Sequence, residues 1–119
     1  MLNEQAADVF YHDMPEQLVT QYAGLLGKQP AATFSTPVAH AGWRNVPSTY
    51  VYTTQDRPCP RAYQQFMVKR AQEVAGQDAG GSVRPFEGEL GEVVVDAGHT
   101  PFLSMTETMG GILIRAADI

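Results

Sequence analysis

The residues of this chain best suited to chemistry are a histidine and an aspartate that lie far apart in the sequence. His99 stands in DAGHTPFLSMTE (96–107), just after the apolar run VVV (93–95). Asp56 closely follows the β-branched and aromatic stretch STYVYTT (48–54). An imidazole is a general base near neutral pH, and a carboxylate beside it can orient the ring and stabilise its protonated form. This pair predicts base catalysis, with Asp56 orienting His99.

Two predicted strands must position this pair. Residues 48–54 are typical of a buried strand, residues 92–95 of a second strand, and residues 61–75 between them of a helix. A strand–helix–strand unit implies parallel strands joined by a right-handed crossover. Parallel strands end at the same sheet edge, so Asp56 and His99 are expected side by side. The alternatives are a loop histidine that stabilises its turn and an ordinary turn aspartate.

A helix is predicted before this unit, over residues 14–26. The run YHD (11–13) is interpreted as the start of this helix rather than as a site. Asp13 is the expected N-terminal cap, and Pro15 suits the first turn. Residues 1–13 otherwise show no clear periodicity. Residues 28–47 contain three prolines and predict a loop with a short helical turn.

A last helix is predicted from Ser104, which would cap it with Glu107 three residues later. Gly110 and Gly111 within this helix predict a close approach to the sheet. The residues predicted to form apolar faces are Leu18, Val19, Tyr22, Leu25 and Leu26 in the first helix, Tyr63, Phe66, Met67, Ala71 and Val74 in the second, and Met105, Met109, Ile112, Leu113 and Ala116 in the third.

The sequence contains no nucleophile in the setting that this chemistry requires. The serines are Ser35, Ser48, Ser82 and Ser104. None lies in a G-x-S-x-G turn between a strand and a helix. Ser104 is better explained as a helix cap, and Cys59, between two prolines, as a packing residue rather than a reactive thiol. The spacing of His12 and His40 with His99 fits no zinc pattern, so no metal is expected.

Composition favours a single soluble domain. The chain has 119 residues, 44% of them hydrophobic, and a net charge of −5. This charge argues against nucleic-acid binding, which needs a basic surface. One cysteine allows no internal disulfide, no apolar stretch is long enough to span a membrane, and the first residues are too polar for a signal peptide. We expect a cytoplasmic protein with no nucleic-acid or membrane partner.

Four stretches that cover most of the chain carry a resemblance to a known family. They are FYHDMPEQLVTQYAGLLGKQP (10–30), FSTPVAHAGWRNVPSTYVYTTQDRPCP (34–60), AYQQFMVKRA (62–71) and DAGHTPFLSMTETMGGILIRAA (96–117). They resemble the C-terminal half of an α/β-hydrolase-fold serine hydrolase, and are most similar to single-domain esterases such as the plant methyl esterases and their fungal and bacterial relatives. Related hydroxynitrile lyases place a lysine directly after the histidine, whereas this chain has Thr100.

The resemblance implies an α/β fold with an incomplete sheet, in two parts. Residues 1–47 would be a remnant of the lid, and residues 48–119 the C-terminal βαβα unit of the hydrolase core. Asp56 and His99 would be the acid and base of a Ser–Asp–His triad that cleaves carboxylic esters without a cofactor, with the serine outside this chain. The chain alone is therefore expected to be inactive.

Two expectations remain open between alternatives. Trp43 and Phe102 are candidates to bind a small-molecule ester substrate under the lid, or are simply core residues. The whole chain could instead be an inactive truncated product that acts as an interaction module. In that case the strand at 48–54 would have an unpaired edge, through which copies of the chain could self-associate.

Overall fold

Two parallel strands and the helix between them form the centre of the fold. The computed structural model describes residues 2–77 and 84–117; the predicted loop at 76–91, with Ser82, lies partly outside the described residues. Strands β1 (Tyr50–Thr53) and β2 (Glu92–Val95) pair from Tyr50 opposite Glu92 to Thr53 opposite Val95, and α3 (Arg61–Ala75) connects them. The predicted α/β class with an incomplete sheet is confirmed, as are the predicted bounds of α3 and β2.

Two helices precede this unit, of which the sequence predicted one. Helix α1 (Leu2–Tyr11) was not predicted, and α2 (Glu16–Gly24) is shorter than the expected 14–26. The residue before α2 is Pro15, which provides no side-chain cap. The prediction that Asp13 caps this helix is therefore wrong, because its carboxylate is bound elsewhere. Two short 3-10 turns, Ala31–Phe34 and Gly42–Arg44, lie in the predicted loop 28–47.

The C-terminal helix is divided in two and begins earlier than predicted. Helix α4 spans Pro101–Ser104 and α5 spans Thr106–Ala117, with Met105 between them in a non-helical conformation. A proline suits the first helical turn, where its missing N–H costs nothing. Ser104 ends α4 instead of capping α5, so the predicted capping box is wrong. In the described ranges, none of the helices combines the length and hydrophobicity needed to cross a bilayer.

Two small clusters of buried apolar side chains can be distinguished among the described residues. One contains Tyr11, Met14 and Ala23, with Phe10 and Leu103 packed against them. The other consists of Val95, Ala97 and Ile112, and the partly buried side chains against it are Val51, Val93, Met105 and Met109. The first cluster links the N-terminal helices to α4, and the second covers one face of the sheet with α5.

The predicted apolar faces are only partly buried. Helix α3 buries Gln64, Val68 and Ala75, while Tyr63 and Phe66 are 55% and 61% exposed. Leu18, Leu25, Leu26 and Leu113 are exposed as well. The expected close approach of Gly110 and Gly111 to the sheet is wrong, since a Cβ atom at either position would meet nothing within 4 Å. The two-stranded sheet is too narrow to cover every apolar side chain that the pattern assigned to it.

Candidate active site

The two residues predicted to form an acid–base pair lie together at the carboxyl ends of the strands. Nδ1 of His99 is 3.1 Å from Oδ1 and 3.1 Å from Oδ2 of Asp56. The Asp56 side chain is 6% exposed, whereas that of His99 is 37% exposed. A buried acid therefore faces one edge of an imidazole that remains open to solvent. In this arrangement a carboxylate can orient the imidazole through one ring nitrogen and leave the other nitrogen free to act as a base.

Local hydrogen bonds hold the Asp56 carboxylate in place. Oδ2 accepts from the Thr53 hydroxyl at 2.9 Å, and Oδ1 accepts from the backbone N–H of Cys59 at 2.8 Å. With His99, these donors satisfy both oxygens of a side chain that would be costly to bury alone. The orientation of the acid is thus set by residues on both sides of it in the sequence.

Gln64 is a buried residue of this site that sequence reasoning missed. Its Oε1 accepts from the Thr53 N–H at 3.0 Å, and its Nε2 donates to the Thr53 carbonyl at 2.9 Å and to the Cys59 carbonyl at 2.7 Å. The side chain therefore joins the end of β1 to the turn that contains Asp56. The signal was the Gln64-Gln65 pair near the start of this helix, but the sequence does not show which of the two points inward.

A second carboxylate ties the ends of the two strands together. Asp96 Oδ1 accepts from the Thr54 hydroxyl at 2.5 Å and from Nε2 of Gln55 at 2.8 Å. These hydrogen bonds, first that from Thr54 and then that from Gln55, lower the pKa of Asp96 below its ordinary value. Asp96 thus helps to keep the chain leading to Asp56 beside the chain leading to His99.

The segment before α2 packs against the His99 turn. The ring of Phe10 lies 5.2 Å from the imidazole, centroid to centroid, and the Thr100 hydroxyl donates to the Phe10 carbonyl at 3.0 Å. Asp13 Oδ2 accepts from the Gly98 N–H at 2.6 Å. The N-terminal part of the chain therefore contributes directly to the surroundings of His99.

The two candidate substrate-binding residues are not brought together. Trp43 lines a cavity of about 570 Å³ between α3 and the preceding loop, together with Tyr50, Phe66 and Phe86. Neither His99 nor Phe102 lines this cavity, and Phe102 is 59% exposed. A role for Trp43 or Phe102 in substrate binding stays a prediction.

Cys59, His40 and the possible metal ligands were the other candidate groups that the structure describes. Burial and then the neighbouring Asp56 carboxylate raise the pKa of the Cys59 thiol, which favours the unreactive protonated form. Nε2 of His40 lies 2.9 Å from Nδ2 of Asn45, in the loop before β1. In residues 2–77 and 84–117, no group of three or more histidine, cysteine, aspartate or glutamate side chains is arranged to hold a metal ion.

Comparison with known proteins shows which family the sequence resembles. The model of the alpha/beta hydrolase family matches residues 2–109. The chain is 32% identical over 114 residues to the alpha/beta hydrolase nvfD of Aspergillus novofumigatus, covering 96% of this chain and 40% of that protein. It is 24% identical over 108 residues to the probable hydrolase R7 of Phoma sp., covering 91% of this chain and 40% of that protein.

The chain thus spans about 40% of the length of these curated relatives. No solved structure matches it significantly. The family match covers α1 to the first turn of α5, and therefore includes both Asp56 and His99. This chain belongs to the alpha/beta hydrolase family.

Proposed function

We propose that this chain is the C-terminal portion of a carboxylic-ester hydrolase that uses a Ser–His–Asp triad. The observation that carries the proposal is the contact of His99 Nδ1 with both carboxylate oxygens of the buried Asp56 at 3.1 Å. In this family the acid precedes the base in the chain, as it does here. The nucleophilic serine is supplied by residues outside this 119-residue sequence, which holds no G-x-S-x-G turn.

In the proposed mechanism His99 moves the proton and Asp56 keeps the ring in place. Nδ1 is turned to Asp56, so Nε2 on the opposite side of the ring is available to the serine. Nε2 takes the hydroxyl proton as serine Oγ bonds to the ester carbonyl carbon. It then gives that proton to the alcohol oxygen as the C–O bond breaks. Water oxygen then bonds to the acyl carbon as Nε2 takes a proton from it, and Nε2 returns that proton to serine Oγ as the acyl–Oγ bond breaks and the carboxylic acid leaves.

Asp56 contributes by stabilising the imidazolium formed in each step. Its role is electrostatic and orientational, and it does not accept the proton itself. Its burial strengthens this effect, since a charge pair interacts more strongly away from water. The hydrogen bonds from Thr53 and Cys59 keep the carboxylate directed at Nδ1 as the charge on the ring changes.

The test compares the 119-residue chain with the same chain extended upstream in its reading frame to include a G-x-S-x-G turn. The extended protein should hydrolyse a simple aryl ester, and Asp56→Asn should lower its kcat by about 10⁴-fold. His99→Ala should lower kcat by at least as much. The 119-residue chain should neither hydrolyse the ester nor react with a fluorophosphonate probe for activated serines.

Two results would contradict the proposal. One is ester turnover by the purified 119-residue chain that is lost in His99→Ala, because the nucleophile would then lie within it. The other is full activity of the extended protein carrying His99→Ala. An aryl ester, a lactone and an amide tested in parallel would establish whether the leaving group is an alcohol or an amine.

A second candidate function is that of an interaction module. The observation that favours it is the exposure of Tyr63 and Phe66, which stack on the surface of α3 with ring centroids 6.1 Å apart. Copies would associate through these side chains and through the edge of β1 that does not pair with β2. Sedimentation equilibrium should then show association that weakens in the double variant Tyr63→Ser, Phe66→Ser. A chain that stays monomeric at all concentrations would refute this candidate.

A further inference from the structure

The contacts of Asp13 place it in the support of the catalytic turn rather than at a helix end. Its Oδ2 accepts from the Gly98 N–H at 2.6 Å and from the Ser104 hydroxyl at 2.8 Å. Hydrogen bonds to an ionised acceptor are among the stronger ones in proteins. We propose that Asp13 is a positioning residue for His99: its carboxylate holds the Gly98–His99 turn so that the imidazole faces Asp56.

The close fit around Gly98 supports this role. A Cβ atom at Gly98 would lie 2.7 Å from Asp13 Oδ1 and 2.8 Å from Cε1 of His12. Real Cβ atoms are not found so close to such neighbours, so a side chain at this position would have to displace the carboxylate. The glycine therefore allows Asp13 to reach the backbone N–H immediately before His99. That contact fixes the direction in which the chain enters the catalytic residue.

The segment that carries Asp13 also holds the other side of His99. The hydroxyl of Thr100 donates to the carbonyl of Phe10 at 3.0 Å. The residues before and after His99 are thus both bound to the segment 10–13, and the Phe10 ring packs on the imidazole itself. Movement of the turn away from this segment would take Nδ1 away from Asp56. The 3.1 Å contact therefore depends on the N-terminal segment as well as on the sheet.

Nuclear magnetic resonance of the 119-residue chain tests this directly, without substrate. In the unsubstituted protein, the Nδ1–H proton of His99 should give a ring signal characteristic of a hydrogen bond to Asp56. Asp13→Ala should speed solvent exchange of the Gly98 amide by about 10- to 100-fold, since a hydrogen bond to a charged acceptor is lost. It should also broaden or remove the His99 ring signal, and Asp13→Asn should restore both in part.

Glu16→Ala is the matched control, because it removes an exposed carboxylate from the same region. It should leave both the Gly98 and the His99 signals unchanged. If Asp13→Ala destabilises the protein but leaves the His99 ring signal as before, Asp13 is only structural and the proposal is overturned. If that variant does not fold, the unsubstituted chain decides through the scalar coupling across the hydrogen bond from the Gly98 amide nitrogen to the Asp13 carboxyl carbon. The absence of this coupling would overturn the proposal, and its presence supports it.

The inference rests on the proposed function in treating His99 as the base, but the two fail in different experiments. An extended protein that does not cleave esters, while Asp13→Ala still alters the His99 ring signal, would refute the triad and leave the positioning role intact. An active extended protein whose His99 ring signal is insensitive to Asp13→Ala would support the triad and refute the positioning role of Asp13.

Discussion

The Gln64 side chain forms hydrogen bonds with the backbone of one residue of β1, as a neighbouring strand would. The backbone N–H groups of Tyr50 and Thr54 bond to Gly91 and Val95 on the β2 side, so the alternate residue Thr53 faces the other edge of the strand. There the Gln64 amide donates to its carbonyl and accepts from its N–H. A side-chain amide has the same donor and acceptor as a peptide group, and it completes the ladder at this point.

This role predicts a large difference between two adjacent glutamines. Gln64→Leu should lower the free energy of unfolding by about 3 kcal/mol, because it leaves the buried N–H and C=O of Thr53 without partners. Gln65→Leu, one residue further along α3 and exposed, is the control and should change it by less than about 0.5 kcal/mol. Urea unfolding monitored by circular dichroism measures both. If both substitutions changed the free energy of unfolding equally, the hydrogen bonds of Gln64 would contribute nothing to stability.

Individual site residues differed in how far the sequence could predict them. The positions of Asp56 and His99 follow from strand order, because both stand just beyond the ends of parallel strands. Asp13 was assigned to a helix cap because its neighbours Pro15 and Glu16 signal a helix start. Its actual partner is 85 residues away, and no local pattern records such a contact.

At the scale of elements, the sequence predicted those whose signals are local. The bounds of α3 and β2 were correct, since prolines and glycines border them. The break between α4 and α5 was missed, because Ser104 and Glu107 have the spacing of a capping box although Ser104 binds Asp13. Helix α1 was missed although its residues are amphipathic, because its 10 residues are fewer than the about 11 to 18 over which helical periodicity is usually judged.

The glycines of α5 offer a test of helix energetics. Gly110→Ala and Gly111→Ala should each raise the free energy of unfolding by about 1 kcal/mol, because alanine is the better helix former and a Cβ atom meets nothing within 4 Å at either position. Gly98→Ala should do the opposite, since its Cβ atom would collide with Asp13. Thermal unfolding of the three variants gives the comparison. Destabilisation by either α5 substitution would show that the surface at Gly110 and Gly111 is covered rather than open.

The junction of the two strands should depend on pH through Asp96. Its folded pKa lies below the ordinary value of 3.8, so the folded state holds this proton less tightly than the unfolded chain. Its contribution to stability is complete above pH 3.8 and is lost as the pH falls through the folded pKa. Asp96→Asn should therefore have a lower urea midpoint than the unsubstituted protein at neutral pH, and the difference should narrow below pH 3.8. If the difference between the two urea midpoints did not change with pH, the ionised Asp96 carboxylate would not be its cause.

At the scale of the whole molecule, the hydrophobic pattern exceeds what two strands can bury. The periodicity of α3 correctly indicated a helix, but the residues that α3 buries, Gln64, Val68 and Ala75, are not those of the predicted apolar face, and Tyr63 and Phe66 remain on the surface. A periodic pattern identifies which residues share a face and not what covers that face. Large apolar side chains such as Leu25, Phe66 and Leu113 are exposed in a chain that spans about 40% of the length of its curated relatives.

The contacts around His99 also have a consequence for how the chain folds. The pairs Asp56–His99 and Asp13–Gly98 join residues 43 and 85 positions apart. Closing such long loops costs chain entropy before the contacts can stabilise the fold. These contacts therefore form slowly compared with a helix. The native surroundings of the imidazole can exist only after the two ends of the chain have met. The ring signal of His99 is thus a probe of the last stage of folding. In a refolding experiment it should appear after the circular dichroism signal of the helices is complete.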